Sequence, residues 1–295
     1  MTVVERDLAA EASVSLPAEP VPPRRPGERV RGYRLRVAWS RTWPVLAALG
    51  GILAAWYIVS YWVLPAGRQF LLPPPHEVYP SAFSNPNLIG PMLSALGLTA
   101  QVALLGIVFA IVIGIGWATV MSLTPWVERI LYPYAVILQT IPILALVPLI
   151  GIWFSYGIPS RIIVCVIISV FPMISNTLFG LQSASPQAHD LFTLNKATRL
   201  QRLAKLQFPA AVPAIFTGLR NVAGLSVIGA IVGDFYFQQG PVGIGGLLRT
   251  YTTRLQMDAL FTAITLTAVF GVLVFTLFAV IDRAIVGRWY GRAAQ

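Results

Sequence analysis

Four polar or charged side chains interrupt long apolar stretches of the sequence, and they are the first candidates for chemistry: Gln139, Asn176, Arg220 and Asp234. Charged residues are costly within apolar segments, so they indicate a function by default. Arg220 can reach a nearby polar surface, pair with the basic segment before it or attract an anion, whereas Asp234 suits hydrogen bonds that anchor a loop. The amides either bond a neighbouring helix or line a solvated path. We therefore take all four as candidates for lining a pathway.

Residues that could support catalysis or metal binding do not occur at suitable spacing. The single cysteine, Cys165, cannot form an intrachain disulfide, and His76 has no second ligand near it at a zinc-like spacing. No G-x-x-x-x-G-K-[ST] sequence is present, and Gly243, Gly245 and Gly246 lie between two apolar segments, where they permit a sharp re-entrant turn. The sequence therefore predicts that the chain is not an enzyme and holds no metal or cofactor.

The composition is that of a membrane protein. The chain is 56% hydrophobic and only 11% charged, whereas soluble domains carry about 25% charged residues. Its net charge is +10, but the aromatic residues lie inside the apolar runs, so nucleic-acid binding is not expected. Six apolar segments are each near the roughly 20 residues that a membrane span requires, at about 44–64, 95–121, 131–154, 161–182, 210–236 and 259–281. We predict an all-α membrane protein with about six transmembrane helices.

The distribution of lysine and arginine predicts the orientation. Basic residues concentrate in the N-terminal arm, in the loop between the second and third segments, in the loop between the fourth and fifth, and in the tail. The other side holds only Arg68, Arg161, Arg249 and Arg254. Because cytoplasmic loops carry the excess of basic residues, both termini and the basic fourth-to-fifth loop are expected in the cytoplasm.

The boundaries follow from these segments. We expect a disordered basic cytoplasmic arm over 1–42, a first transmembrane helix over 43–65, an extracytoplasmic loop over 66–90, a core domain over 91–287 with a polar loop at 185–209, and a cytoplasmic tail over 288–295. The prolines of the extracytoplasmic loop favour an extended chain without regular helix. Pro142, Pro148 and Pro172 are expected to interrupt helices inside the bilayer.

The polar segment between the fourth and fifth spans has the pattern of a helix–turn–helix. Pro186 suits the first turn of one helix, and Thr198 can cap a second. Asn195-Lys196 offers the break between them, and the left-handed conformation of the turn falls either on Lys196, at a cost of about 1 kcal/mol, or on Asn195, which tolerates it. Pro209 and Pro213 are expected to end the second helix and begin the next span.

This segment resembles the cytoplasmic coupling loop of binding-protein-dependent ABC importer permeases. That family's pattern is Glu-Ala-Ala, three residues, Gly, nine residues, Ile, one residue, Leu-Pro. Anchored on Pro209, the pattern has Asp190 at its Glu and Leu206 at its Ile, but Leu191, Phe192 and Lys196 depart from its alanines and glycine. The runs QTIP-x-LAL-x-PL and LLPPPHEV are similar to the nitrate, sulfonate and taurine branch, and the first also resembles permeases thought to carry riboflavin or thiamine-pyrimidine precursors.

The resemblance implies the type I ABC importer permease fold and a chain that forms the pathway for a small solute. It implies an ABC ATPase dimer, an extracytoplasmic substrate-binding protein and a second permease subunit as partners, with a homodimer favoured over a heterodimer, in the bilayer of a bacterial plasma membrane. The residues expected to couple to the ATPase are Asp190, Leu191, Phe192, Leu194, Asn195, Lys196, Leu206 and Pro209. The alternatives are a secondary transporter without an ATPase and a non-transport membrane scaffold.

Overall fold

The structure is a computed structural model that describes residues 30–83 and 85–290. The described residues divide after residue 55 into two separate compact units. Most of the predicted N-terminal arm, together with residues 291–295 of the predicted tail, lies outside the described residues. The first helix, α1, spans Val30–Ile58 and begins within the segment predicted to be disordered.

Helices account for all regular secondary structure in the described ranges, as expected for an all-α protein. After α1 the chain continues through a π-helical turn at Val59–Val63 and a 3₁₀ helix at Ala66–Leu71. The remaining helices are α2 (Pro75–Phe83), α3 (Pro86–Ser122), α4 (Pro125–Thr140), α5 (Ile143–Phe154), α6 (Ile158–Leu181), α7 (Pro186–Leu194), α8 (Arg199–Arg202), α9 (Phe208–Tyr236), α10 (Ile244–Thr253) and α11 (Met257–Tyr290).

Five continuous helical segments are long and apolar enough to cross a membrane, and a sixth span forms if α4 and α5 are taken together. The segment predicted at 131–154 is a broken span, because α4 and α5 meet at an angle of 97°, and the expected interruption at Pro142 is confirmed. Pro142 lies at this break, where it holds the preceding Ile141 in an extended conformation. Pro148 and Pro172 lie inside α5 and α6, so the expected interruptions there do not occur.

The loop predicted to be extended over 66–90 is largely helical. Pro75 and Pro86 each stand at the start of an α-helix, where the missing N–H costs no hydrogen bond. Two side chains attach this loop to the preceding helical segment: Trp56 Nε1 donates to the carbonyl of Pro73 at 3.1 Å, and Ser60 Oγ donates to that of Leu72 at 2.7 Å. The prolines therefore begin helices here instead of preventing them.

The core forms where α9 and α3 pack against α6. Small residues make the close packing possible: a Cβ added to Gly106 would lie 2.5 Å from the Cβ of Cys165, and one added to Gly229 would lie 2.8 Å from the Cα of Cys165. Cys165 is therefore enclosed between two glycines on different helices, where it packs as a small apolar residue.

Candidate functional site

The polar segment at Ser185–Gln207, here called the elbow, begins with the predicted helix. The Ser185 hydroxyl caps α7 by accepting a hydrogen bond from the N–H of Ala188 at 3.3 Å, and Pro186 occupies its first turn. At the other end, Asn195 Nδ2 donates to the carbonyl of Leu191 at 2.8 Å. These local hydrogen bonds explain why so short a helix forms where the sequence predicts it.

The left-handed residue of the turn is Lys196 and not Asn195. Lys196 has a φ of 51°, whereas Asn195 has a φ of −80°. The N–H of Lys196 donates to the carbonyl of Thr193, and that of Ala197 donates to the carbonyl of Phe192, both at 2.9 Å. This is the helix-terminating arrangement that favours glycine, so a lysine at this position costs about 1 kcal/mol.

The second helix of the elbow runs without a break into the next span. Thr198 caps α8 in a reciprocal pair with Gln201, as its sequence predicts. The expected end of this helix at Pro209 and Pro213 is wrong, because a π-helical turn at Leu203–Gln207 joins α8 to α9. A π turn shifts the hydrogen-bond register of a helix, and the helix thereby continues past Pro209.

Exposed leucines cover the outer surface of the elbow. Leu191, Leu194 and Leu200 are 58%, 80% and 72% exposed, and Asp190 is also exposed. Arg202 Nη2 donates to Thr193 Oγ1 at 2.9 Å, which links α7 to α8.

The remaining predicted coupling residues differ in burial, and Asn195 and Lys196 are exposed in the turn. Phe192 and Leu206 are half-buried, whereas Pro209 is exposed near the start of α9. Beside them, Leu203 is buried in a cluster with Leu178 and Leu181 of α6. The elbow is therefore an apolar, partly charged surface anchored to the core of the bundle.

A buried ion pair lies near the far end of α9, and sequence reasoning missed one of its members. Arg161 begins the fourth predicted apolar segment and is not among the site residues predicted from the sequence. Its side chain is only 1% exposed, and its Nη1 lies 2.9 Å from Oδ1 of Asp234. Its Nη2 donates to the carbonyls of Phe237 and Gln239 at 2.9 and 3.1 Å. A single arginine therefore binds both the end of α9 and the chain that follows it.

Thr99 of α3 completes this cluster, here called the latch (Thr99, Arg161 and Asp234). Its hydroxyl donates to Oδ2 of Asp234 and accepts from the N–H of Ile244 at 2.9 Å. A Cβ added to Gly245 would lie only 2.8 Å from the Cβ of Asp234, so a side chain has no room there. Gly243 has an ordinary φ of −84°. These glycines therefore allow α10 to approach Asp234 closely, and the sharp re-entrant turn expected of them stays a prediction.

Arg220 has a partner that the sequence did not indicate. Its Nη1 lies 3.2 Å from Oδ2 of Asp282 on α11, and the guanidinium carbon is 5.3 Å from the ring centroid of Phe275. Pairing with the elbow, one of the alternatives for Arg220, is therefore replaced by an ion pair between α9 and α11, and both side chains remain partly exposed. The signal that could have indicated it is the acidic residue near the end of the last apolar segment.

The two amide candidates differ in their surroundings. Asn176 Nδ2 donates to the carbonyl of Pro172 in its own helix at 2.8 Å, and the residue lies against Gly218 of α9. Gln139 is exposed and makes no side-chain hydrogen bond to the described residues, so no interhelical bond forms within this part of the chain. Asn176 and Arg220 thus lie along the α6–α9 region, whereas Asp234 belongs to the latch.

A bundle of apolar helices with an exposed helical elbow is the architecture of a membrane transport subunit. Residues 110–287 match the family described as binding-protein-dependent transport system inner membrane component, and the chain belongs to this family. The prediction of an ABC-importer permease is thereby confirmed at the level of the family.

Similar proteins have been described in bacteria. The chain is 33% identical over 209 residues to the formylaminopyrimidine transport permease protein ThiX of Halalkalibacterium halodurans, covering 71% of this chain and 82% of that protein. It is 25% identical over 289 residues to the putative aliphatic sulfonates transport permease protein SsuC of Bacillus subtilis, covering 96% and 98% of the two chains.

The fold is similar to that of a solved structure. A bacterial ABC transporter involved in the import of the acidic polysaccharide alginate contains a chain that matches with a TM-score of 0.58 and 15% identity. The match covers 85% of this chain and 99% of the other. At this identity the likeness concerns the fold alone, and it confirms the predicted importer permease fold.

Proposed function

We propose that this permease passes a small solute across a bacterial plasma membrane when a separate ABC ATPase dimer acts on its elbow. The observation that carries this proposal is the unbroken helical path from Arg199 to Tyr236, which joins the elbow to a full membrane span. A rigid connection of this kind turns a displacement of the elbow into a tilt of the span.

The surface of the elbow suits an ATPase groove. Leu191, Leu194 and Leu200 are exposed apolar side chains outside the apolar spans, and an exposed apolar patch rimmed by polar residues marks an interaction site. Asp190 adds a negative charge that can pair with a basic residue of the partner. We assign to the same contact the other predicted coupling residues, namely Phe192, Asn195, Lys196, Leu206 and Pro209.

The proposed orientation places the elbow and both termini in the cytoplasm. Arg199, Arg202 and Lys205 concentrate positive charge in the elbow, and the positive-inside rule assigns such loops to the cytoplasmic side. An extracytoplasmic binding protein would then deliver the solute to the latch end of the bundle. A second permease subunit, for which we favour an identical copy, completes the pathway.

The proposed solute is small and of the kind that the relatives' names describe. One relative is named for a formylaminopyrimidine and another for aliphatic sulfonates. Gln139, Asn176 and Arg220 remain our candidates for the pathway, since each places a polar group along an apolar helix. Asp234 is reassigned from pathway lining to anchoring, because its carboxylate is enclosed by the latch.

Two elbow variants test the coupling role. Leu194→Asp should abolish co-purification of the ATPase, because a charge replaces an apolar side chain at the proposed contact. Asp190→Lys should lower ATP hydrolysis stimulated by the binding protein by at least tenfold. Leu255→Asp is the matched control, since Leu255 is 57% exposed in the turn before α11 and should retain the ATPase. Normal ATPase binding and hydrolysis in both elbow variants would overturn the proposal.

A further inference from the structure

An amide without a partner lies near the middle of the central span. Asn221 stands about halfway along α9, and its side chain is exposed and makes no hydrogen bond to any described residue. Lipid hydrocarbon cannot satisfy an amide, and polar side chains at this depth characteristically face a partner or a water-filled cavity. A polar occupant is therefore expected beside Asn221.

A cavity of about 490 Å³ opens at this point of α9. A Cβ added to Gly224 would meet no atom within 4 Å, so this glycine leaves space and is not required for close packing. The walls combine polar groups with hydrocarbon, and the lining side chains used below are Arg220, Asn221, Leu225, Ile228 and Phe275.

The polar side chains in the lining of the cavity are those of Arg220, which only donates hydrogen bonds, and Asn221. One terminal nitrogen of Arg220 is paired with Asp282, whereas the other, Nη2, makes no hydrogen bond within the described ranges, and the side chain is 35% exposed. The Asn221 amide offers both a donor and an acceptor. Asp282 offsets much of the guanidinium charge, so a solute does not need a negative charge to bind beside Arg220.

We propose that this cavity is a solute-binding site within the pathway, and that it accepts a small uncharged molecule. The molecule would present acceptors such as a carbonyl or a ring nitrogen to Arg220 and Asn221. Its apolar face would lie against Leu225 and Ile228. This inference rests on the proposed function, and it extends that function by naming a site and a solute class.

Access to the cavity is tested by thiol labelling in the assembled transporter. In a Cys165→Ala background, Asn221→Cys should react with a charged, membrane-impermeant methanethiosulfonate at least tenfold faster than Val112→Cys. Val112 is the matched control because it lies on α3 and is 65% exposed along an apolar span. Equal labelling of the two cysteines would overturn the proposal, since Asn221 would then face lipid or a second copy.

Selectivity is tested by protection of the same cysteine. Cytosine, an uncharged probe with a carbonyl and a ring nitrogen, should slow the labelling of Asn221→Cys several-fold, whereas nitrate and taurine should not. Protection by nitrate or taurine, or no protection by cytosine, would overturn the assigned solute class.

A second variant fills the cavity. Gly224→Val should lower uptake by at least tenfold while leaving ATPase assembly intact, because its side chain enters open space. Unchanged uptake would contradict the site.

Failure of the wild-type chain to assemble with an ATPase would contradict the proposed function, whereas a complex that hydrolyses ATP but leaves Asn221→Cys unlabelled would contradict only the site.

Discussion

At the scale of single residues, the two ion pairs of α9 differ in burial. Arg161 and Asp234 are 1% and 0% exposed, whereas Arg220 and Asp282 are 35% and 17% exposed. A buried pair adds little net stability when intact, but the loss of one member leaves an uncompensated charge. Single substitutions in the latch are therefore expected to destabilise the protein strongly.

This difference predicts the effect of neutralising each acid. Asp234→Asn should destabilise the protein by about 3–5 kcal/mol, because Arg161 loses its counter-charge in a closed site. Asp282→Asn, the matched control, should cost at most about 1 kcal/mol, since its pair is partly solvated. Thermal unfolding of the two variants in detergent checks this, and equal losses would contradict the distinction.

The turn of the elbow makes a second prediction at this scale. Lys196→Gly should stabilise the elbow by about 1 kcal/mol, because glycine adopts a φ of 51° without the steric penalty of a side chain. Asn195→Gly should give no gain, since that residue already has an ordinary φ. Hydrogen exchange of the elbow amides measures the effect, and greater protection in Asn195→Gly would contradict the assignment.

At the scale of elements, the joint between α8 and α9 decides whether the elbow can act on the span. Leu203 is buried against α6, but Ala204 and Lys205 are exposed on the π-helical turn. Changes at the exposed positions therefore alter the stiffness of the joint without disturbing the core.

Softening this joint should uncouple transport from hydrolysis. The double variant Ala204→Gly with Lys205→Gly costs about 1 kcal/mol of helix stability per glycine, so we expect several-fold less solute moved per ATP. Lys205→Ala removes the same charge but keeps the helix, and it should transport normally. Uptake and ATP hydrolysis measured together in proteoliposomes check this, and an unchanged ratio in the double variant would contradict the rigid connection.

At the scale of the whole molecule, the elbow and the latch lie at opposite ends of the central helix. The elbow leads into α9 at Phe208. The other residues of the latch bind α9 at Asp234, near the end of the helix at Tyr236. Tilting of α9 about the latch would move its elbow end most, which suits a lever operated from one side of the membrane.

This arrangement predicts opposite exposure for two single cysteines. In sealed right-side-out vesicles, an impermeant maleimide should label Leu255→Cys, because the turn before α11 is proposed to face outward. Leu194→Cys should react only after permeabilisation, since the elbow is proposed to be cytoplasmic. The native Cys165 is buried and serves as an internal blank. The reverse labelling pattern would contradict the orientation.

The amino-acid sequence by itself determined the features that depend on near neighbours in the chain. Apolar length predicts the spans, and Ser185, Pro186 and Thr198 predict the elbow helices, because caps and proline effects act within about one helical turn. The family resemblance followed from such local patterns as well.

Only the tertiary structure decided which distant residues meet. Arg161 and Asp234 are 73 positions apart, and Thr99 and Asp234 are 135 apart, so no local pattern pairs them. Likewise, Pro142 breaks its span while Pro148 and Pro172 do not, although the three are alike in sequence. A proline's effect depends on whether the surrounding helices hold the chain straight, and burial of a charge depends on which helices enclose it.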